Sequence, residues 1–190
     1  MARITIKTLE LAGFASAVQA LRLPFKKECR SETKTNMIVD EEGAVENPYI
    51  GYASKVDFDP KDIRLMSTLV KRGDEHGKVV RGIMAYAEID APRYWWQEMD
   101  TYRIGTDRLS SESTMHIQGK GLSTEELVKM KSELTEGTMQ KRVQVFSYQS
   151  LRRIYVQRKN HRLPHWQIFC SWIESLPFAK ELILVGLENE

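Results

Sequence analysis

Apolar residues alternate with polar ones at the start of the chain, in "RITIKTLEL" (3–11), where Ile4 and Ile6 precede Leu9 with Thr and Lys between. A period of two predicts a strand. The spacing then lengthens in "FASAVQALRL" (14–23), which predicts a short helix ended by Pro24. From 26 to 60 no period survives; turn chemistry ("DEEG", "ENP", "DFDP") dominates, and the stretch reads as a flexible segment or a lid. Asp59 and Pro60 suit the cap and first turn of a helix that carries Ile63, Met66, Leu69 and Val70 on one face and stops at Gly73.

"KVVRGIMAYAEI" (78–89) alternates as a strand, and "DAP" turns it into a helix with the unusual text "RYWWQEMDTYR" (93–103). On that helix Trp95, Met99 and Tyr102 share a core face, and Tyr94, Glu98 and Thr101 share another. Arg93, Gln97, Asp100 and Arg103 share a third, where the plain reading pairs the two arginines with Asp100. "TDRLSSESTMH" (106–116) reads as a loop. Its hydroxyls at Ser110, Ser111, Ser113 and Thr114, together with its backbone N–H groups, suit either a solvated turn or an anion-wrapping nest. Ser123 with Glu126 forms a capping-box pattern before Leu127, Met130 and Leu134. "KRVQVFSYQSLRRIYVQRK" (141–159) begins as a strand and becomes a helix, and "LPHWQIFCSWIESLPF" (163–178) is a strong helix with Trp166, Phe169, Trp172 and Ile173 as core. The sum is an α+β chain, helices packed around a small sheet, organised as one domain over 1–190.

Composition narrows the function classes only slightly. With 28 basic and 26 acidic side chains the net charge is +2, so overall charge does not argue for nucleic acid. The basic run "SLRRIYVQRKNHR" (150–162) has the wrong background for such a partner and reads equally well as a helix face beside a ligand. No run of 18 apolar residues and no secretory leader pattern appear, and two distant cysteines, Cys29 and Cys170, fit reduced thiols. A cytoplasmic protein without membrane contact is the expectation. His161 and His165 with His116 make a poor metal site, because Pro164 breaks the shared face and no acid or cysteine stands at ligand spacing.

The ordered series is more informative than any single motif. "HGKVVRGIMAYAEIDAPRYWWQEMDTYRIGTDRLSSESTMH" (76–116) followed by "YQSLRRIYVQRKNHRLPHWQIF" (148–169) resembles the flavin-dependent thymidylate synthases. These have a His-containing turn, a strand, a helix opened by arginine, an Arg-His-Arg signature, a Ser-x-Arg phosphate loop and a later Arg-Ser-Leu helix leading to Gln-Trp-Glu. The resemblance covers roughly residues 60 to 175.

It implies a flavin-dependent thymidylate synthase-like fold and a homo-oligomer, usually a homotetramer with active sites between subunits. It also implies FAD as hydride carrier, with NADPH and methylenetetrahydrofolate if the chain is catalytically active, and a nucleotide such as deoxyuridine monophosphate as ligand. Carried over by position, the resemblance puts Arg103, His76 and Tyr102 beside the cofactor. Around the nucleotide it puts Arg93, Glu98, Ser113, Thr114 and Arg158, with Arg158 as the catalytic candidate.

Departures share a direction. Thr101, Tyr102 and Arg103 occupy the Arg-His-Arg signature, Met115 stands where the loop arginine is expected, and Glu98 replaces a glutamine. One misplaced like charge at about 4 Å costs about 4 kcal/mol at an effective dielectric near 20, or about a thousandfold in affinity. The expectation is therefore a divergent relative that keeps a nucleotide-binding pocket, with departures that work against orthodox methylation. An active enzyme and a purely oligomeric assembly protein are the alternatives.

Overall fold

The computed structural model describes residues 3–25, 34–36 and 55–187. A four-stranded antiparallel sheet has the order β1-β4-β6-β5. Its strands are β1 (Thr5–Ala12), β4 (Met84–Pro92), β5 (Thr106–Ser111) and β6 (Met139–Ser147). Two short strands, β2 (Lys34–Asn36) and β3 (Lys55–Asp57), pair separately; of the stretch 26–60 expected as a flexible segment or lid, residues 26–33, with Cys29, and 37–54 lie outside the described residues.

Helix α1 (Phe14–Arg22) follows β1, and a 3-10 turn over Leu23–Phe25 contains Pro24. Helix α2 (Pro60–Lys71) starts as its sequence demands: the Asp59 carboxylate accepts the Lys61 N–H at 2.8 Å, and Pro60 occupies the first turn, where no N–H is needed. Then come α3 (Arg93–Met99), α4 (Thr114–Ile117), α5 (Thr124–Ser132), α6 (Tyr148–Arg158), α7 (Pro164–Ser175) and α8 (Ala179–Leu182). The α+β architecture expected from the periodicity is the one observed.

Two boundaries differ from the sequence reading. The strand expected over 78–89 begins only at Met84, because Lys78–Gly82 coils as a 3-10 turn that buries Val80. That turn presses on the β1–α1 corner: a Cβ on Gly13 (φ 89°) would lie 1.8 Å from the Gly82 carbonyl oxygen, so only glycine fits. The second difference is larger. Thr106–Ser111, expected as loop, is strand β5, paired to β6 with a bulge between Arg108 and Ser110. Serine-rich text has little strand propensity, but the open edge of β6 supplies the hydrogen bonds and overrides it.

One sheet face packs on helices. Phe146 meets Phe169 and Trp172 of α7 at 5.6 and 5.8 Å between ring centroids, and Trp95 meets Trp96 and Trp166 at 4.9 Å. A second aromatic group joins Phe14, Phe58, Tyr148 and Phe178, with centroids 4.7 to 6.2 Å apart. Inside it the Tyr148 hydroxyl donates to the Pro177 carbonyl, and burial pushes its phenol well above the usual range. By contrast α4 and α5 bury no residue at all, although Ser123 and Glu126 form the expected reciprocal capping box. No helix among the described residues is long and apolar enough to cross a membrane.

Candidate functional site

Helix α3 enters straight from β4, and its first backbone N–H groups are taken by the Thr138 and Glu136 carbonyls. Its buried side chains, Trp95, Trp96 and Met99, anchor it on the core. The polar side chains between them are thus presented in two opposite directions, and the two sides have different chemistry.

Toward α6 and α7, Glu98 is the centre of a closed network. Its Oε2 accepts from Arg158 Nη1 at 2.7 Å and from the Trp166 indole N–H at 2.9 Å, and faces His161 Nε2 at 3.5 Å. Arg158 Nε donates to the Tyr102 hydroxyl at 2.7 Å, and that hydroxyl donates onward to Gln157 at 2.9 Å. The guanidinium carbon lies 4.4 Å from the Trp166 ring centroid and 5.4 Å from that of Tyr102, a double cation–π contact. His161 Nδ1 accepts the Leu163 N–H at 3.2 Å, so a neutral imidazole carries its proton on Nε2, facing Glu98. Two of the three nitrogens of Arg158 are therefore engaged, Nη1 by its carboxylate partner and Nε by the Tyr102 hydroxyl.

Toward β6 the same helix lines an open cleft of about 300 Å³ with Arg93, Gln97, Thr114, Lys131, Thr138, Met139, Gln140 and Arg142. Arg142 is the best supported of its cations. It is buried, stacks 4.3 Å over Trp96, donates to Asp100 at 2.8 Å and to the Gln140 side chain at 3.0 Å. Above all burial pushes its guanidinium below the ordinary value; Asp100 opposes that shift, and the positive charges of Arg108 and Arg93 add to it.

Among the described residues the Arg93 side chain has no partner, and the Lys131 ammonium reaches only the Thr114 hydroxyl. The nearby acids are engaged: Asp100 with Arg142, and Glu136 with Gln97 at 2.8 Å. Three cations line the hollow against two nearby carboxylates, one of them ion-paired to Arg142, and this excess of positive charge can hold an anion, since each unpaired charge near a low-dielectric wall is stabilised by a counter-charge.

The residues singled out in the sequence fall into separate groups. Arg93 and Thr114 line the cleft, and Ser113 stands at the N-cap position of the short helix α4 beside it, without a side-chain capping bond. Glu98, Tyr102 and Arg158 belong to the closed network. Arg103 is exposed in the turn before β5, and His76 is exposed in the turn after α2; neither side chain has a partner among the described residues. Arg103 and Ser113 flank the two ends of β5, so one chain does not bring Arg103, Ser113 and Arg158 to a single hollow. The pairing expected between Asp100 and Arg93 or Arg103 is also replaced, because Arg142 takes Asp100.

Arg142 and Lys131 were not anticipated. Arg142 left a signal: the inward register of β6 reads Gln140, Arg142, Gln144 opposite Ala91, Ile89 and Ala87, too polar for a plain core strand. Lys131 left none. The basic run is largely consumed within the chain, with Arg152 donating to the Ile183 and Val185 carbonyls and Arg153 to Asp74. No group of three metal-ligating side chains occurs among the described residues.

No protein-family model and no curated protein sequence matches this chain. Its fold does match solved structures. Thymidylate synthase X from Helicobacter pylori, crystallised with FAD and dUMP, superposes with a TM-score of 0.65 at 14% identity, covering 97% of this chain and 99% of that one. A second structure from Helicobacter pylori, complexed with FAD and dUMP, gives 0.63 at 13% identity, over 97% and 98% of the two chains. The UMP/dUMP methylase PolB from Streptomyces cacaoi, bound with 5-Br dUMP, gives 0.58 at 12% identity over 98% and 94%. The fold is therefore that of the flavin-dependent thymidylate synthases over nearly the whole chain.

Proposed function

We propose that this chain is a divergent relative of the flavin-dependent thymidylate synthases that binds a pyrimidine nucleotide, with the phosphate in the cleft of Arg93, Arg142 and Lys131. The observation that carries this reading is the unequal state of the arginines. Arg158, expected beside the pyrimidine, is held by Glu98, Tyr102 and Trp166, whereas Arg93 is unpaired among the described residues and faces a hollow shared with two further cations. Proteins of this fold were crystallised with dUMP, which makes dUMP the first ligand to try. Orthodox methylation is not part of the proposal, since the Arg-His-Arg signature is reduced to Arg103 and the loop arginine is Met115.

The expected cofactor contacts lie elsewhere. Gly105, next to the Arg103 turn, meets Ser147 at the far end of β6, while the cleft includes Met139 at its start. Along β6 the cleft residue nearest Ser147 is Arg142, five positions away, a span of about 17 Å. No mononucleotide bridges that distance, so a homo-oligomer, a tetramer on the resemblance, would have to bring one subunit's cleft to another's cofactor end. Arg103 and His76, both exposed and unpaired among the described residues, fit the anionic part of FAD, which would supply hydride transfer; the Tyr102 hydroxyl is already engaged. An enzymatically active variant is the second reading, favoured by those two free side chains.

Titration calorimetry separates the cases. The purified protein should bind dUMP, and deoxyuridine, which lacks the phosphate, at least about tenfold more weakly. Equal affinity for the two would remove the cleft from the account, and flavin absorbance in the purified protein would favour the active variant.

A further inference from the structure

The hairpin of α4 and α5 is well specified but poorly anchored. Its capping box and the bond from Lys131 to Thr114 fix its own shape, yet none of its helical residues is fully buried: Leu127 and Met130 are half-buried, and Met115, Ile117 and Val128 remain 50%, 63% and 60% exposed. Its polar links to the body lie at its base: Gln97 to Glu136, Gln140 to the Glu112 carbonyl, and the Lys141 N–H to the Glu112 carboxylate. Segments held in this way open at low free energy.

The cleft's three cations are divided between these two bodies. Arg93 and Arg142 stand on α3 and β6, and Lys131 stands on the hairpin. Like charges on opposite walls resist closure while the cleft holds no counter-charge, and a polyanion between them reverses the sign of that interaction.

We propose that the α4–α5 hairpin is a flap that closes on the phosphate of the bound ligand, with Lys131 as the residue that couples phosphate binding to closure. This inference rests on the cleft being a phosphate site. Lys131 contributes a charge-assisted contact to the phosphate, and the Thr114 hydroxyl, which holds Lys131 in place, lines the same wall. Ligand binding then orders residues 114–132 without any contact to their apolar side chains.

Hydrogen exchange of the whole protein, followed by mass spectrometry with inorganic phosphate and with dUMP, tests the flap, alongside calorimetry with the same two probes. Exchange across 114–132 should slow at least about tenfold at saturation. Lys131→Ala should bind about tenfold more weakly and lose the slowing even when saturated, and Lys131→Arg should restore it. Binding with unchanged exchange in 114–132 would overturn the flap and leave the cleft standing. Slowing that persists in saturated Lys131→Ala would overturn the role of Lys131. Failure of both probes to bind would overturn the cleft and the flap together.

Discussion

On one side of α3 the carboxylate of Glu98 collects an arginine, an indole and an imidazole; on the other the guanidinium of Arg93 finds no partner among the described residues. Both groups sit on a helix of seven residues, five positions apart. The difference is one of completion. A charge that is paired, stacked and hydrogen-bonded inside the chain has its desolvation offset there and serves the fold. A charge that lines a hollow with two like neighbours raises the energy of the free protein and lowers it again when an anion arrives. If this division is right, damage to the closed side should appear as lost stability, and damage to the open side as lost binding.

The largest effect is expected from Trp166→Ala. Trp166 is fully buried, contacts Trp95 and Phe169, carries Arg158 on its face and donates to Glu98. Truncation should cost about 3–5 kcal/mol in chemical denaturation. A loss under about 1 kcal/mol would mean that the network is not closed in solution.

Glu98→Ala comes next. It strips Arg158 of its counter-ion and Trp166 of its acceptor, and with Glu98 partly exposed the cost should be about 2 kcal/mol, below that of a fully buried pair. A double-mutant cycle with Arg158→Leu should recover part of the loss, because removing both partners leaves no orphaned charge. Strict additivity would dissolve the coupling on which the comparison depends.

Arg93→Ala should do the reverse. With no partner among the described residues to lose, its denaturation midpoint should shift by no more than about 0.5 kcal/mol, while dUMP affinity falls at least about tenfold. A variant that unfolds without losing affinity would exchange the roles of the two sides.

Much of the framework was readable from residue order, and much of what surrounds α3 on either side was not. The α2 and α5 caps, the passage from β4 into α3 and the core face of α7 each follow from a local pattern, and each appears where that pattern puts it. The pair Glu98–Arg158 joins residues 60 positions apart, and nothing local announces that they meet. Strand β5 was missed because its hydrogen bonds come from β6, a tertiary cause invisible in "TDRLSS". The cleft depends on the same strand, since the pairing of β5 with β6 leads the chain to Thr114 beside Arg93. Arg142 left its trace in the polar inward register of β6, and Lys131 became a cleft residue only through the way the hairpin folds over.

Asp90 tests the same division where the effect is smallest. It lies on β4 opposite Lys141, with Oδ1 buried and without a hydrogen-bond partner among the described residues, so it is neither completed by them nor open to a ligand cleft. Burial raises its pKa above the ordinary 3.8, helped by Glu112 and Glu88 and opposed by Lys141. A carboxyl with a raised pKa binds its proton more tightly in the folded state. Its ionisation therefore penalises folding at neutral pH, and the penalty fades as pH falls through the folded value. Asp90→Asn should stabilise the protein slightly at pH 7, by no more than about 0.5 kcal/mol given the partial exposure, and the gain should vanish below about pH 4. A gain of equal size at both pH values would trace to packing instead, and a loss at pH 7 would show that Lys141 completes Asp90 as fully as Arg158 completes Glu98.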